Sequence, residues 1–420
     1  MPGCALPGTP LADALPGINA CVHCGFCLQA CPTYLNLEDE NDSPRGRIFL
    51  MRSLLEGTVR PDDPSVQQHI DQCLGCRACE PVCPSGVPYG QLLEATRATL
   101  REYRPIPFLA RLILFVFARS WLLGPAMFFS RILAATPIPT LLSGVKGRLG
   151  FAMAMLASTG RSIERSPYNP VMRGERGTVS PLRGCVMEGL FKQTNRATER
   201  VLAVNGYAIV QAPGQQCCGA LHAHAGDLEN ARILARRNIA AFERSGAEFI
   251  AVNAAGCGAI MKEYGHLLKE DADWRDRAAA LAARVRDVSE LLAAAGPRHG
   301  GSLPIRVTYD APCHLQHAQR VTQAPLTVLA AIPGLELVPL HDSDQCCGSA
   351  GIYNLIEPET SDAVLEPKLA NIRATGAPFV ATGNPGCLMQ IGAGLIRAEI
   401  SARPIHPVDL LDASYAAFGQ

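Results

Sequence analysis

The chain has 420 residues, room for roughly two to four domains. At 48% hydrophobic and 18% charged residues it holds enough apolar material for packed cores, which excludes a disordered chain. Lys plus Arg and Asp plus Glu stand at 38 each, and no block of like charge occurs, so nothing electrostatic points to nucleic acid.

Residues 1–17 form a short Pro/Gly-rich tail. The first twenty residues lack a basic start and a long apolar run, so no secretory leader is expected. The 17 cysteines then read as free thiols in the reducing cytoplasm, where clustered cysteines bind metal or do redox work. Cys4 has no partner at a useful spacing and reads as an inert thiol.

Residues 18–100 carry two dense runs, Cys21-x2-Cys24-x2-Cys27-x3-Cys31-Pro32 and Cys73-x2-Cys76-x2-Cys79-x3-Cys83-Pro84. Both follow the ligand spacing of bacterial two-cluster ferredoxins. Three thiolates within seven residues can wrap one cubane, because a tight turn returns every third side chain to one side. The fourth lies too far along to close the same cube and serves the other cluster. The spacing therefore assigns Cys21, Cys24, Cys27 and Cys83 to one [4Fe–4S] cluster. Cys73, Cys76, Cys79 and Cys31 go to a second. Each proline is expected to stop the local turn and direct its cysteine across. Structural zinc uses pairs of Cys or His, four ligands to each ion, which a triplet plus Cys-Pro occurring twice does not match. His23 reads as a solvent-facing turn residue. Arg45 and Arg47 fit two readings, counter-charge for the clusters or plain surface arginine.

Residues 101–175 are cysteine-free, apolar and punctuated by Pro and Gly. Phe108–Leu133 contains two apolar stretches. Arg119 would cost about 2.5–3.5 kcal/mol near a bilayer centre, and Pro125 should break the helix, so a single span is not expected. Interfacial helices fit better, with Arg111, Arg119 and Arg131 at headgroup level and Trp121 as an anchor. A core or subunit-interface helix pair is the other reading.

Residues 176–420 contain an internal repeat. Cys185, Cys217-Cys218-Gly219 and Cys257 recur as Cys313, Cys346-Cys347-Gly348 and Cys387, and the offset drifts by one residue from landmark to landmark. This argues duplication, as modules 176–296 and 297–420. Expected strands are Tyr207–Val210, Phe249–Val252, Ile305–Tyr309 and Pro378–Ala381. Asp227–Ser245 and Glu359–Thr375 read as helices between them. Strands alternating with helices favour a mostly parallel sheet, whose sites lie beyond the strand ends, where these cysteines fall. The fold class is thus α+β / α/β: a mostly helical two-cluster ferredoxin-like domain followed by two tandem α/β Cys-Cys-Gly modules.

Each module offers four soft ligands, enough for an iron–sulfur centre. Buried thiols acting as small hydrophobes are the alternative. His222, His224, His314 and His317 lie beside these cysteines and read as structural histidines. Gly144-x2-Gly147-x2-Gly150 has the wrong spacing for a dinucleotide fingerprint and no preceding strand, so the chain is not expected to bind its own flavin or nicotinamide.

The strings Ala20-Cys-Val-His-Cys-Gly-Phe-Cys27, Cys31-Pro-Thr-Tyr34, Pro44-Arg-Gly-Arg-Ile48 and Cys83-Pro-Ser-Gly-Val87 resemble the iron–sulfur subunit of bacterial glycolate oxidase. So do Gly256-Cys-Gly258, Lys262-Glu-Tyr-Gly265, Leu315-Gln-His-Ala-Gln319 and Cys346-Cys-Gly-Ser-Ala-Gly351. The resemblance runs from about residue 18 to residue 412. It implies an oxidoreductase complex of glyoxylate metabolism that oxidises glycolate on a flavin held by sister subunits. This chain would pass electrons to a membrane quinone without binding substrate. It would sit peripherally on the cytoplasmic face of the inner membrane. Lactate and anaerobic glycerol-3-phosphate dehydrogenases use similar subunits. The Cys-Cys-Gly modules are also similar to those of heterodisulfide reductase, which carry a further cysteine in a Cys-x2-Cys pair. Here Ala254 and Asn384 stand at that position. That departure counts against the relative's unusual cluster and its disulfide chemistry. An ordinary further cluster, or none, remains open.

Overall fold

The computed structural model describes residues 4–160, 163 and 166–419. The start of the expected tail (1–3) and positions 161, 162, 164 and 165 of the apolar zone lie outside the described residues. Two compact units emerge. One comprises 1–115, 220–231 and 345–365, and the other 116–219, 232–344 and 366–420. Two pieces of the repeat region therefore belong with the amino-terminal cysteine runs.

The first unit is helical around Leu11, Ile18, Met51, Leu54, Ile70 and Leu92, all within 1% of full burial. Burying each such side chain is worth about 1.5–3 kcal/mol. The helix Pro44–Glu56 starts at Ser43, whose hydroxyl accepts the Gly46 N–H at 3.0 Å, with proline at its first position. It stops at left-handed Gly57. At Gly46 a Cβ would collide with the Glu40 carbonyl, so only glycine lets the helix start this close to the Glu40–Asp42 turn. The helix Tyr89–Leu100 presents Leu92, Leu93, Thr96, Thr99 and Leu100 to the same core.

The second unit is built on two four-stranded parallel sheets. The first comprises β1 (Thr178–Pro181), β2 (Ala208–Ile209), β3 (Phe249–Val252) and β4 (Val285–Asp287), in the order β2-β1-β3-β4. The second comprises β5 (Arg306–Tyr309), β6 (Glu336–Val338), β7 (Phe379–Ala381) and β8 (Arg403–Ile405), in the order β6-β5-β7-β8. The identical strand order matches the sequence repeat. Expected strands coincide with β2, β3, β5 and β7, and the expected helices appear as Leu228–Ser245 and Pro358–Thr375. The strands β1, β4, β6 and β8 went unread, because runs of three or four residues with proline, arginine or glutamate carry no period-two signal.

One apolar core is shared by both sheets, from Val179 and Ala251 to Val307 and Ala381. The helices Lys192–Val204 and Pro407–Phe418 are clamped by a forked Arg200–Asp412 pair at 2.9 and 2.7 Å. The modules also meet through backbone: Ala255 N donates to Gly383 O at 3.1 Å, and His406 Nε2 lies 2.9 Å from Asn253 O.

Among the described residues no single helix is long and apolar enough to cross a membrane. The apolar zone forms helices Phe108–Phe117 and Ser120–Ala134, but the break differs from expectation. It falls at Arg119, which is extended (φ −126°, ψ 104°), while Pro125 lies inside the second helix. Near a helix start proline deprives only one carbonyl, that of Trp121, of its partner.

Candidate metal centres

The two ferredoxin-like runs follow the same backbone path. In the first, the second and fourth residues after the leading cysteine, His23 and Gly25, have φ of 53° and 87°. In the second, the equivalent Gly75 and Arg77 have φ of 61° and 63°. Left-handed residues at these two positions curl each run so that its thiols converge, and each run places one glycine among them. His23 is exposed, as a turn residue should be. Pro32 opens the helix Pro32–Leu37 with Cys31 as its cap, whereas Pro84 opens none.

Cys21, Cys24, Cys27 and Cys83 line one cavity, which Cys79 of the other set also reaches and which Arg45, Ile48, Val87 and Tyr89 wall. Cys24 is exposed and the other three are half-buried. Burial pushes the Cys27 thiol up to about 11, against hydrogen bonds from backbone amides. Arg45 is held by Glu40 at 2.6 Å and donates to the His23 carbonyl at 3.4 Å, beside this thiol group.

Cys73, Cys76, Cys79 and Cys31 are all buried. Burial, then the neighbouring Cys76, Cys73 and, more weakly, Cys31 sulfurs, pushes the Cys79 thiol well above its ordinary value. Two donors approach Cys73 Sγ, the Gly75 N–H at 3.4 Å and the Tyr89 O–H at 3.6 Å, while Thr33 Oγ1, which donates to the Asp42 carbonyl at 2.9 Å, lies 3.2 Å from Cys31 Sγ. Arg47 is not a surface arginine. It is completely buried, bonded to Asp42 at 3.0 Å, Thr33 at 3.0 Å and the His69 carbonyl at 2.6 Å. Burial opposes its charge, yet the Cys73, Tyr89, Cys31 and Asp42 groups hold the guanidinium above its ordinary range.

Four buried soft ligands, with sulfur-directed donors and a buried cation, fit an anionic iron–sulfur cluster. Apolar collapse does not require the cation. The Asp42–His69 contact at 3.1 Å completes the Arg47 network. Nothing in the spacing of Asp42 and His69 announced them. Only the Pro44-Arg-Gly-Arg string marked the region.

In the first Cys-Cys-Gly module the four thiols join in a hydrogen-bonded chain, Cys185 to Cys217 to Cys218 to Cys257. All four follow strand ends, as parallel sheets require. Asn238 Nδ2 holds the Cys217 carbonyl at 2.9 Å and Tyr264 O–H the Cys218 carbonyl at 2.7 Å. Ala254 is buried at the start of the helix Ala255–Lys262.

The second module is distributed differently. Cys313 and Cys387 lie in the sheet unit, where Asn384 donates to Cys387 Sγ at 3.4 Å and accepts from Gly256 N at 3.3 Å. Cys346 and Cys347 lie in the amino-terminal unit, and the Cys346 and Cys76 thiols hydrogen-bond each other. The nearby histidines have polar partners: His222 Nε2 lies 3.0 Å from Leu114 O, His224 Nδ1 2.9 Å from Glu94, and His317 Nε2 3.0 Å from Asp344 O.

Two family models match the chain. A 4Fe-4S dicluster domain matches residues 17–87, and a cysteine-rich domain matches 180–262 and again 307–392. The chain is 38% identical over 412 residues to the probable glycolate oxidase iron–sulfur subunit of Bacillus subtilis, covering 93% of this chain and 92% of that one. It is 36% identical over 389 residues to the glycolate oxidase iron–sulfur subunit of Escherichia coli, covering 90% and 89%. Lactate utilization protein A of Geobacillus thermodenitrificans is 29% identical over 236 residues, 56% of this chain and 98% of that one. Carrying both cluster runs and both Cys-Cys-Gly modules, the chain belongs to the glycolate oxidase iron–sulfur subunit family.

Proposed function

We propose that this chain is the electron-transfer subunit of a flavin-dependent glycolate dehydrogenase, receiving electrons from flavin-bearing partner subunits and delivering them toward a membrane quinone. The observation that carries this reading is the unequal exposure of the two cysteine sets. Cys21, Cys24, Cys27 and Cys83 reach the surface, while Cys73, Cys76, Cys79 and Cys31 are buried behind them in the same unit. When bound, the clusters would supply one-electron storage and passage. The chain's own residues do the rest. Cys24 and its exposed neighbours Val22 (67%) and Phe26 (66%) offer an apolar landing surface for the flavin partner. Arg47 balances charge in the buried set. The Tyr89 hydroxyl and the Gly75 amide direct donors at sulfur.

The convergent Cys185, Cys217, Cys218 and Cys257 thiols support a further iron–sulfur centre in the first module. The exposed apolar residues Phe108 and Phe129 and the 70% exposed Trp121 support peripheral attachment to the membrane. An assembled complex that washes entirely off membranes would remove that element.

The test is anaerobic purification with the partner subunits, followed by glycolate addition and electron paramagnetic resonance. Glycolate should reduce the clusters. Reduction by lactate or glycerol 3-phosphate without any by glycolate would transfer the chain to those dehydrogenases.

A further inference from the structure

Within the amino-terminal unit lies a cavity of about 470 Å³ whose wall includes Cys73 itself. We propose that this cavity binds the head group of an isoprenoid quinone, making it the exit for electrons leaving the buried cysteine set. The inference rests on the electron-transfer reading above.

Its volume lies in the range of small-ligand pockets, which are mostly apolar with a few placed polar groups. Ile106, Ile352 and Ile356 supply apolar wall. The charged groups in the wall are Asp71, Arg97, Arg101, Arg104 and Glu357. Arg97 donates to the carbonyls of His224 at 2.8 Å and Cys73 at 2.6 Å, and Arg101 pairs with Asp227 at 3.3 Å. Arg97, Arg101 and Arg104 are matched in formal charge by Asp71, Glu357 and the Arg101 partner Asp227, so the cavity suits an uncharged amphiphile better than a carboxylate or phosphate substrate.

Reduction of a quinone needs more than electrons. One quinone takes two electrons and two protons to become one quinol. The electrons come from glycolate oxidation at the partner flavin and arrive singly through the Cys73 side of the wall. The protons come from water. His224 lies in the wall, and its Nδ1 is bonded at 2.9 Å to Glu94, with both side chains partly exposed. That pair can hand a proton to a ketone oxygen and recover it from solvent. Pro107 and Ala110 also line the cavity, and Ala110 belongs to the helix Phe108–Phe117. The exposed Phe108, Leu109 and Leu112 continue that apolar surface and suit an isoprenoid tail.

The test uses the anaerobically purified full chain, reduced with dithionite so that no partner subunit or glycolate is involved. A wrong assignment of the electron donor therefore leaves this result unaffected. Photolabelling with an azido-substituted ubiquinone analogue should modify peptides within 97–110 or 350–357. Ile106→Trp and Ile356→Trp, from two different segments of the wall, should each abolish that labelling. Each should also slow reoxidation of the chain by decylubiquinone at least tenfold relative to reoxidation by ferricyanide. Retained visible absorption confirms folding, and Ile356→Phe replaces any variant that loses it. Labelling confined to other peptides, or wild-type reoxidation by decylubiquinone in both folded variants, overturns the proposal.

Discussion

Cys76, in the middle of the second ferredoxin-like run, shares a hydrogen bond with Cys346 of the second Cys-Cys-Gly motif, within one compact unit. A segment that sequence order assigns to the carboxy-terminal module thus touches the buried cysteine set. Hydrogen bonds to cluster sulfur raise reduction potential, because they favour the more negative state. Replacing Cys346 with Ala should therefore lower the potential of the buried cluster without changing the iron content. Redox titration followed by electron paramagnetic resonance, with an iron assay alongside, checks both. Loss of iron would make Cys346 a ligand instead.

Arg47 and Asp42 are both buried and paired at 3.0 Å. Removing one member of such a pair leaves an uncompensated charge, at about 3–5 kcal/mol. Arg47→Met should destabilise the amino-terminal unit by that amount, read from urea unfolding under anaerobic conditions. Arg47→Lys should recover only part of it, because an ammonium cannot reach Asp42, Thr33 and the His69 carbonyl together as the guanidinium does.

Phe26 is two-thirds exposed beside Cys24. Phe26→Asp should weaken assembly with the flavin subunits at least tenfold in a pull-down titration and leave the cluster spectrum intact. Unchanged assembly would move the electron-entry surface elsewhere.

His406 caps the helix Pro407–Phe418, accepting the Val408 N–H at 3.1 Å, and burial lowers its pKa to about 4. The fold favours the neutral ring. Its stabilisation is complete above about pH 6.5 and is lost progressively as pH falls toward 4, by about 3 kcal/mol in all. Asn is also a good cap, so His406→Asn should flatten this loss. Comparing urea unfolding of the two proteins between pH 7 and pH 4 isolates His406 from Asp287. Burial pushes the Asp287 carboxyl up to about 6, so its contribution runs the other way, costing stability as pH rises.

Much of this was legible in the sequence because ligand spacing is local. The two Cys-x2-Cys-x2-Cys runs need only a curled turn, and the positive-φ pairs His23/Gly25 and Gly75/Arg77 provide it. The apolar runs at β2, β3, β5 and β7 and the two long helices were read for the same reason. What escaped depends on contacts between distant segments. The burial of Arg47 needs Thr33, Asp42 and His69 brought together, and no periodicity encodes that. The placement of 220–231 and 345–365 with the amino-terminal runs is equally non-local. So is the Cys76–Cys346 bond. Three-residue β4 and β8 exist because a neighbouring strand pairs with them, a property of the sheet more than of the segment.

Crosswise ligation is the centre of this account, and paired Cys→Ser variants examined by low-temperature electron paramagnetic resonance test it most directly. Cys83→Ser should lose the same signal as Cys24→Ser, and Cys31→Ser the same signal as Cys76→Ser, each variant shedding about four iron atoms per chain. If Cys83→Ser instead lost the signal that Cys76→Ser loses, each run would enclose its own cluster and the account would be wrong.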